Sequence, residues 1–161
     1  QRNEKAERHY ERRAFWSAAL PVVSQTCPRW GNISPGDEGW LNTASGRPGV
    51  SYQLWSYVDQ CGSSLYIDGG AGKPLWAKLV FDFLYARRSE VESAFGGPLE
   101  WNRLDDKRAS IIASKAIKGG YRSPRPDWPT IHDALAEEFR RFENAMAAQL
   151  DAAIVAANAP Q

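Results

Sequence analysis

Cysteine, histidine and methionine are scarce in this chain: two, two and one among 161 residues. Cys27 and Cys61 form no CxxC pair and flank a polar stretch, so they define neither a disulfide framework nor a thiolate zinc site. They read as reduced thiols of a cytoplasmic protein. His9 and His132 each lie near the start of a helical stretch. Neither stands beside a Cys, Ser-Gly or Asp motif that would activate a nucleophile, which argues against a hydrolase triad. Long apolar runs are also missing. None approaches the roughly 20 residues needed to cross a bilayer, and the charged start Gln1 to Lys5 is not followed by a signal-type apolar core. No membrane partner is expected. An excess of one charge is the last absence: 20 basic against 19 acidic residues leave a net +1. Any case for a polyanionic partner therefore rests on how charge is distributed, not on its sum. A start at Gln instead of Met suggests a piece of a longer chain.

Aromatic residues are abundant by contrast, with seven Trp, six Tyr and six Phe. Each can bury about 150 to 250 Å². A chain of this length hides roughly two thirds of its unfolded surface, so residues 1–161 are expected to form a single domain with one packed core. Residues 3–24 read as a helix with Tyr10, Ala14, Phe15, Ala18 and Val22 at helical spacing and Pro21 near its end. Arg8, Arg12 and Arg13 alternate there with Glu4, Glu7 and Glu11, the pattern of a solvated, ion-paired face. Residues 26–49 are rich in Pro, Gly, Ser and Asn and read as a long irregular loop pinned to the core by Trp30 and Trp40. The competing role for those two indoles is stacking on a base or a sugar.

Val50 to Val58 and Leu65 to Ile67 suit a pleated surface and flank the turn Asp59-Gln60-Cys61-Gly62, which predicts an antiparallel hairpin. The Gly-rich stretch Asp68 to Lys73 lacks the GxxxxGK[ST] spacing of a phosphate-binding loop. Trp76, Leu79, Val80, Phe83, Leu84, Val91 and Phe95 predict one helix over 74–95, with Lys78–Asp82 and Arg88–Glu92 as exposed pairs and Gly96-Gly97 as its stop. Leu99 to Leu104 and Ser110 to Ile117 predict a second hairpin. Gly119 to Pro129 reads as loop, within a basic segment over 118–129, and Thr130 as the cap of a helix over 130–157 whose stripe runs Ile131, Leu135, Phe139, Phe142, Met146, Leu150, Ile154. The expected architecture is α+β: an antiparallel sheet of two hairpins packed by helices, in the order α-ββ-α-ββ-α.

Certain residues in this order are distinctive. They are Phe15-Trp16, the strand end Leu65-Tyr66-Ile67-Asp68, Phe81-Asp82, Glu92 to Gly96, Leu99-Glu100-Trp101-x-Arg103-Leu104-Asp105, and Lys107-Arg108. Over roughly Phe15 to Phe142 the chain resembles a bacterial and archaeal domain of unknown function found C-terminally in larger proteins. Some of those proteins carry restriction-endonuclease-like nuclease domains. The resemblance implies a context of restriction-modification or antiviral defence, with a nuclease domain in the same or a partner chain, and it carries no catalytic residues across.

A metal-dependent nuclease needs two acids on adjacent strands to hold Mg²⁺ and a Lys near the attacked phosphate. The nearest set is Asp68, Glu100, Asp105 and Lys107, and it fits poorly, since a long helix intervenes and Asn102 stands where a Lys is wanted. No cofactor is expected unless that nuclease reading holds, when Mg²⁺ would be required. The strongest positive signal is local charge. From Lys107 to Arg125 the chain carries Lys107, Arg108, Lys115, Lys118, Arg122 and Arg125 with no Asp or Glu. These cations can track phosphates, and Tyr121 or Trp128 can stack on a base. The expected function is a noncatalytic DNA-binding or targeting module. Its competitor is a protein-interaction or homodimerisation module that uses the C-terminal helix.

Overall fold

In a computed structural model, which describes residues 2–160, the chain opens with α1 (Arg2–Thr26). Its buried stripe is Phe15, Trp16, Ala19, Leu20 and Val23, one position out of phase with the predicted one, and Tyr10 is exposed. Pro21, a residue expected to kink or end the helix, lies inside it. Proline removes one backbone donor, and Leu20 and Val23 on either side of it are buried. A short 3-10 helix over Pro28–Asn32 then turns Trp30 fully inward.

Residues 26–49 are not the irregular loop that their composition predicts, because they contain the strand β1 (Trp40–Arg47). Leu41, Thr43 and Ser45 point inward and Trp40, Asn42 and Ala44 outward, a period of two that small polar residues disguise. The hairpin partner of β1 is β2 (Val50–Ser56), and β3 (Gln60–Ile67) follows after a tight turn. The predicted single helix over 74–95 is two helices, α2 (Trp76–Ala86) and α3 (Arg88–Phe95), broken at Arg87. Gly96 stops α3 in the left-handed conformation, φ +95°, which a residue without Cβ adopts freely.

The second predicted hairpin is β4 (Leu99–Asn102) with β5 (Ser110–Ser114), but its second arm is interrupted. β5 pairs with the distal half of β3, Ser64 opposite Ala113, and the chain then re-pairs with the proximal half through β6 (Ile117–Lys118), Lys118 opposite Gln60. The strand order is β1-β2-β3-β5-β4, with β6 on β3. The fold is therefore α+β, with an antiparallel sheet. The last helix, α4 (Trp128–Asn158), starts two residues before Thr130 and follows a 3-10 turn over Arg125–Asp127. No helix among the described residues is long and apolar enough to cross a membrane.

The chain divides into two compact units. The first comprises residues up to Thr43, Gln53–Ser63 and Ala116–Arg140, and the second Ala44–Tyr52, Ser64–Lys115 and Arg141 onward. In the first, Phe15 meets Trp16 and Trp128 edge-on at 5.3 Å and His132 at 4.5 Å, and Trp30 packs on Phe139 at 5.4 Å. In the second, Leu65, Ile67 and Ile112 form the inner sheet face with Val80 and Leu84 of α2, while Phe81, Tyr85 and Trp101 make a ring cluster. The stripe of α4 from Ile131 to Leu150 is buried within these cores.

Candidate nucleic-acid interface

Local charge marked Lys107 to Arg125, so the site is built from those residues. In the second unit, Lys107 and Arg108 occupy the β4–β5 connection and both are exposed. Arg108 donates to both Asp68 oxygens, at 2.7 and 3.1 Å. That guanidinium, helped by the Gly70 N–H, holds the Asp68 carboxyl below the usual range. Lys115 is exposed just past β5 and takes part in no ion pair among the described residues, although its charge helps to lower the pKa of Glu92. Glu92 is held down chiefly by the Leu99 N–H at 2.8 Å and then by the Trp101 indole at 3.1 Å.

The conformation of the connection is set by a residue that helical periodicity had placed in a surface ion pair. Lys78 is not paired with Asp82 but buried, and its ammonium donates to the carbonyls of Arg103, Leu104 and Ala109 and to Ser110 Oγ, at 2.6 to 3.0 Å. Desolvation, with repulsion from Arg103, pushes its pKa down. Asp82 instead receives the Arg103 fork, at 2.8 and 3.0 Å, and Arg103 also bonds Asp105. Leu104, the one non-glycine with positive φ among the described residues, sits within this cage. Four acceptors converging from one hairpin were not legible as such, because only the fold brings them onto one ammonium.

Two of the acids weighed for metal catalysis, Asp68 and Glu100, stay apart. Ile67 pairs with Ser110 and Glu100 with Ala113, three register steps away on β5 and across two strand spacings. At about 3.3 Å per residue and 4.8 Å per strand, Asp68 and Glu100 are separated by about 14 Å or more along the backbone lattice, too far for one metal ion. Asp68 and Asp105 are each engaged by an arginine, and Lys107 stands on the connection without a metal-binding pair. Among the described residues no group of three His, Cys, Asp or Glu is placed to hold a metal.

In the first unit, the segment after β6 is pinned where Gly-Gly and prolines suggested a flexible loop. Gly119 N–H donates to Asp59 O, Tyr121 N–H to Tyr57 O and Arg122 N–H to Val58 O, at 2.8 to 3.1 Å. The glycines serve close approach: a Cβ on Gly120 would fall on the Tyr57 carbonyl, and one on Gly119 on the Ile131 side chain. Tyr121 and Trp128, assigned to base stacking by the sequence, are buried, and both rings are engaged by their own chain. Tyr121 lies under Arg12, and Trp128 packs on Phe15 with Arg125 over its ring at 4.1 Å. They are corrected to core residues, and their aromatic character did not distinguish the two roles. Arg122 is exposed and reaches Glu11 at 3.5 Å. Lys118 is exposed on β6 and Arg125 at the 3-10 turn, neither in an ion pair among the described residues.

Of the two loop indoles, Trp30 is the core anchor, whereas Trp40 is about half exposed on β1. The core-anchor role expected for both indoles thus holds for Trp30 and not for Trp40, which lies on a strand that the composition of 26–49 hides. No curated protein and no solved structure matches the chain. A family model matches residues 11–150, and the chain belongs to the family described as Domain of unknown function (DUF4268).

Proposed function

We propose that the chain is a noncatalytic nucleic-acid-binding or targeting module of a bacterial defence or restriction-type system, carried C-terminally in a larger protein beside a nuclease domain. One observation carries this reading: every cation of the acid-free run, from Lys107 to Arg125, is exposed, and the backbone beneath it is fixed. Lys78 fixes it in one unit and the backbone bonds of 119–122 in the other. A fixed backbone limits the order lost on meeting phosphates, and Lys107, Lys115 and Lys118 take part in no ion pair among the described residues.

The test is duplex DNA binding at several salt concentrations. The wild-type chain is expected to bind with log K falling linearly in log salt, and Lys107→Glu/Lys115→Glu/Lys118→Glu is expected to lose retention with melting temperature nearly unchanged. Arg122 is left in place because it pairs with Glu11. Binding that ignores salt, or survives the triple reversal, would sink the reading. The competing dimerisation surface on α4 is less supported over the stripe Ile131 to Leu150, which is buried, and keeps only the end of that stripe, where Ile154 is half-buried.

A further inference from the structure

The outward face of the sheet in the first unit carries three aromatic rings that no helix covers. Trp40 and Tyr57 are 51% and 60% exposed, and Trp55 is half-buried. Ser56 N–H donates to Gly39 O at 2.8 Å, which sets Trp40 of β1 beside Trp55 of β2, and Trp55 lies 5.3 Å from Tyr57, tilted by 42°. The Trp55 indole N–H is tied to Ser63 O at 3.3 Å across β3, so that ring is fixed before any ligand arrives. Tyr57 N–H bonds Gln60 O, and Gln60 pairs with Lys118, which puts ring, amide and ammonium in one row spanning two strand spacings, about 10 Å. Asn42 and Gln53 add amides on the same outward alternation. Lys118 is the only charge on these positions, and the nearest carboxylate along the chain, Asp59, belongs to the turn.

We infer that this face is a stacking platform for single-stranded nucleic acid, with bases on Trp40, Trp55 and Tyr57 and a phosphate at Lys118. Flat rings, one of them held in place, accept unpaired bases, which a duplex keeps inside its stack, and a cation in no ion pair among the described residues suits a polyanion. The inference rests on the nucleic-acid reading above and narrows it to a single strand.

Its test uses the whole chain, a labelled oligothymidylate about 16 nucleotides long, the upper site size of one single-strand-binding fold, and a duplex of equal length. The wild type is expected to prefer the single strand and to show quenched tryptophan emission on binding. Trp40→Ala/Tyr57→Ala changes two exposed side chains. It is expected to weaken the single-strand complex by tenfold or more, since stacking is worth about 1 to 3 kcal/mol per base, and to leave duplex affinity unchanged. Unaltered single-strand binding by this variant, or duplex binding alone, overturns the platform and leaves the broader reading standing. Failure of the wild type to bind either oligonucleotide overturns both.

Discussion

Two buried ionisable side chains carry measurable consequences at the scale of single residues. His132 is enclosed by Phe15 and Trp128 with Nε2 unbonded, and burial pushes its pKa down to about 4, against a weak opposing pull from Asp133. The folded state thus prefers the neutral ring, whereas the unfolded chain binds a proton below about pH 6.5. Stability is full above that value and falls as pH drops toward 4. Urea unfolding is expected to show about 2 kcal/mol less stability at pH 5 than at pH 7, a difference that His132→Leu should remove. The lowered carboxylates Asp68, Glu92 and Asp151 act in the same direction, but in a lower window. Lys78→Met keeps the volume and deletes the ammonium, removing a donor from three carbonyls and the Ser110 hydroxyl, of which Arg103 O keeps the Ser110 hydroxyl and Leu104 O the Lys107 N–H. A loss of about 3 kcal/mol is expected, with faster amide exchange over 103–110 as its local signature. An unchanged exchange pattern would mean that the Arg103–Asp82 fork alone holds the connection.

Elements were legible where their side chains kept a period and hidden where composition imitated a loop. Trp76, Val80, Leu84, Val91 and Phe95 announced helix, and Gly96 its end, while Arg87 gave no sign of the break. β1 went unseen because Asn42, Thr43, Ser45 and Gly46 are turn-forming residues, and only pairing with β2 makes them a strand. The basic run was legible as charge, but which of its aromatics face solvent depends on packing partners far away in sequence. The Gly119-Gly120 pair was misread for a related reason, since glycine permits both flexibility and close approach. Gly120→Ala is expected to destabilise the protein by several kcal/mol, about 2 to 4, because its Cβ would meet the Tyr57 carbonyl and Gln60 N. Gly72→Ala, with nothing within 4 Å, should be neutral within about 0.5 kcal/mol and serves as the control in the same chemical denaturation series.

The molecule as a whole is interleaved: the chain passes between its two units after Thr43, Tyr52, Ser63, Lys115 and Arg140. Three strands and α4 contribute to both. Such connectivity should make unfolding a single cooperative transition, with calorimetric and van't Hoff enthalpies equal, and two resolved transitions would contradict it. It also has a consequence during synthesis. Each unit needs chain that comes after Lys115, the first through Ala116–Arg140 and the second from Arg141 onward. A nascent chain halted at Lys115 holds neither unit complete, so strand residues that are buried in the folded protein, such as Leu54 and Leu65, are expected to stay open to solvent and to chaperones until α4 is made.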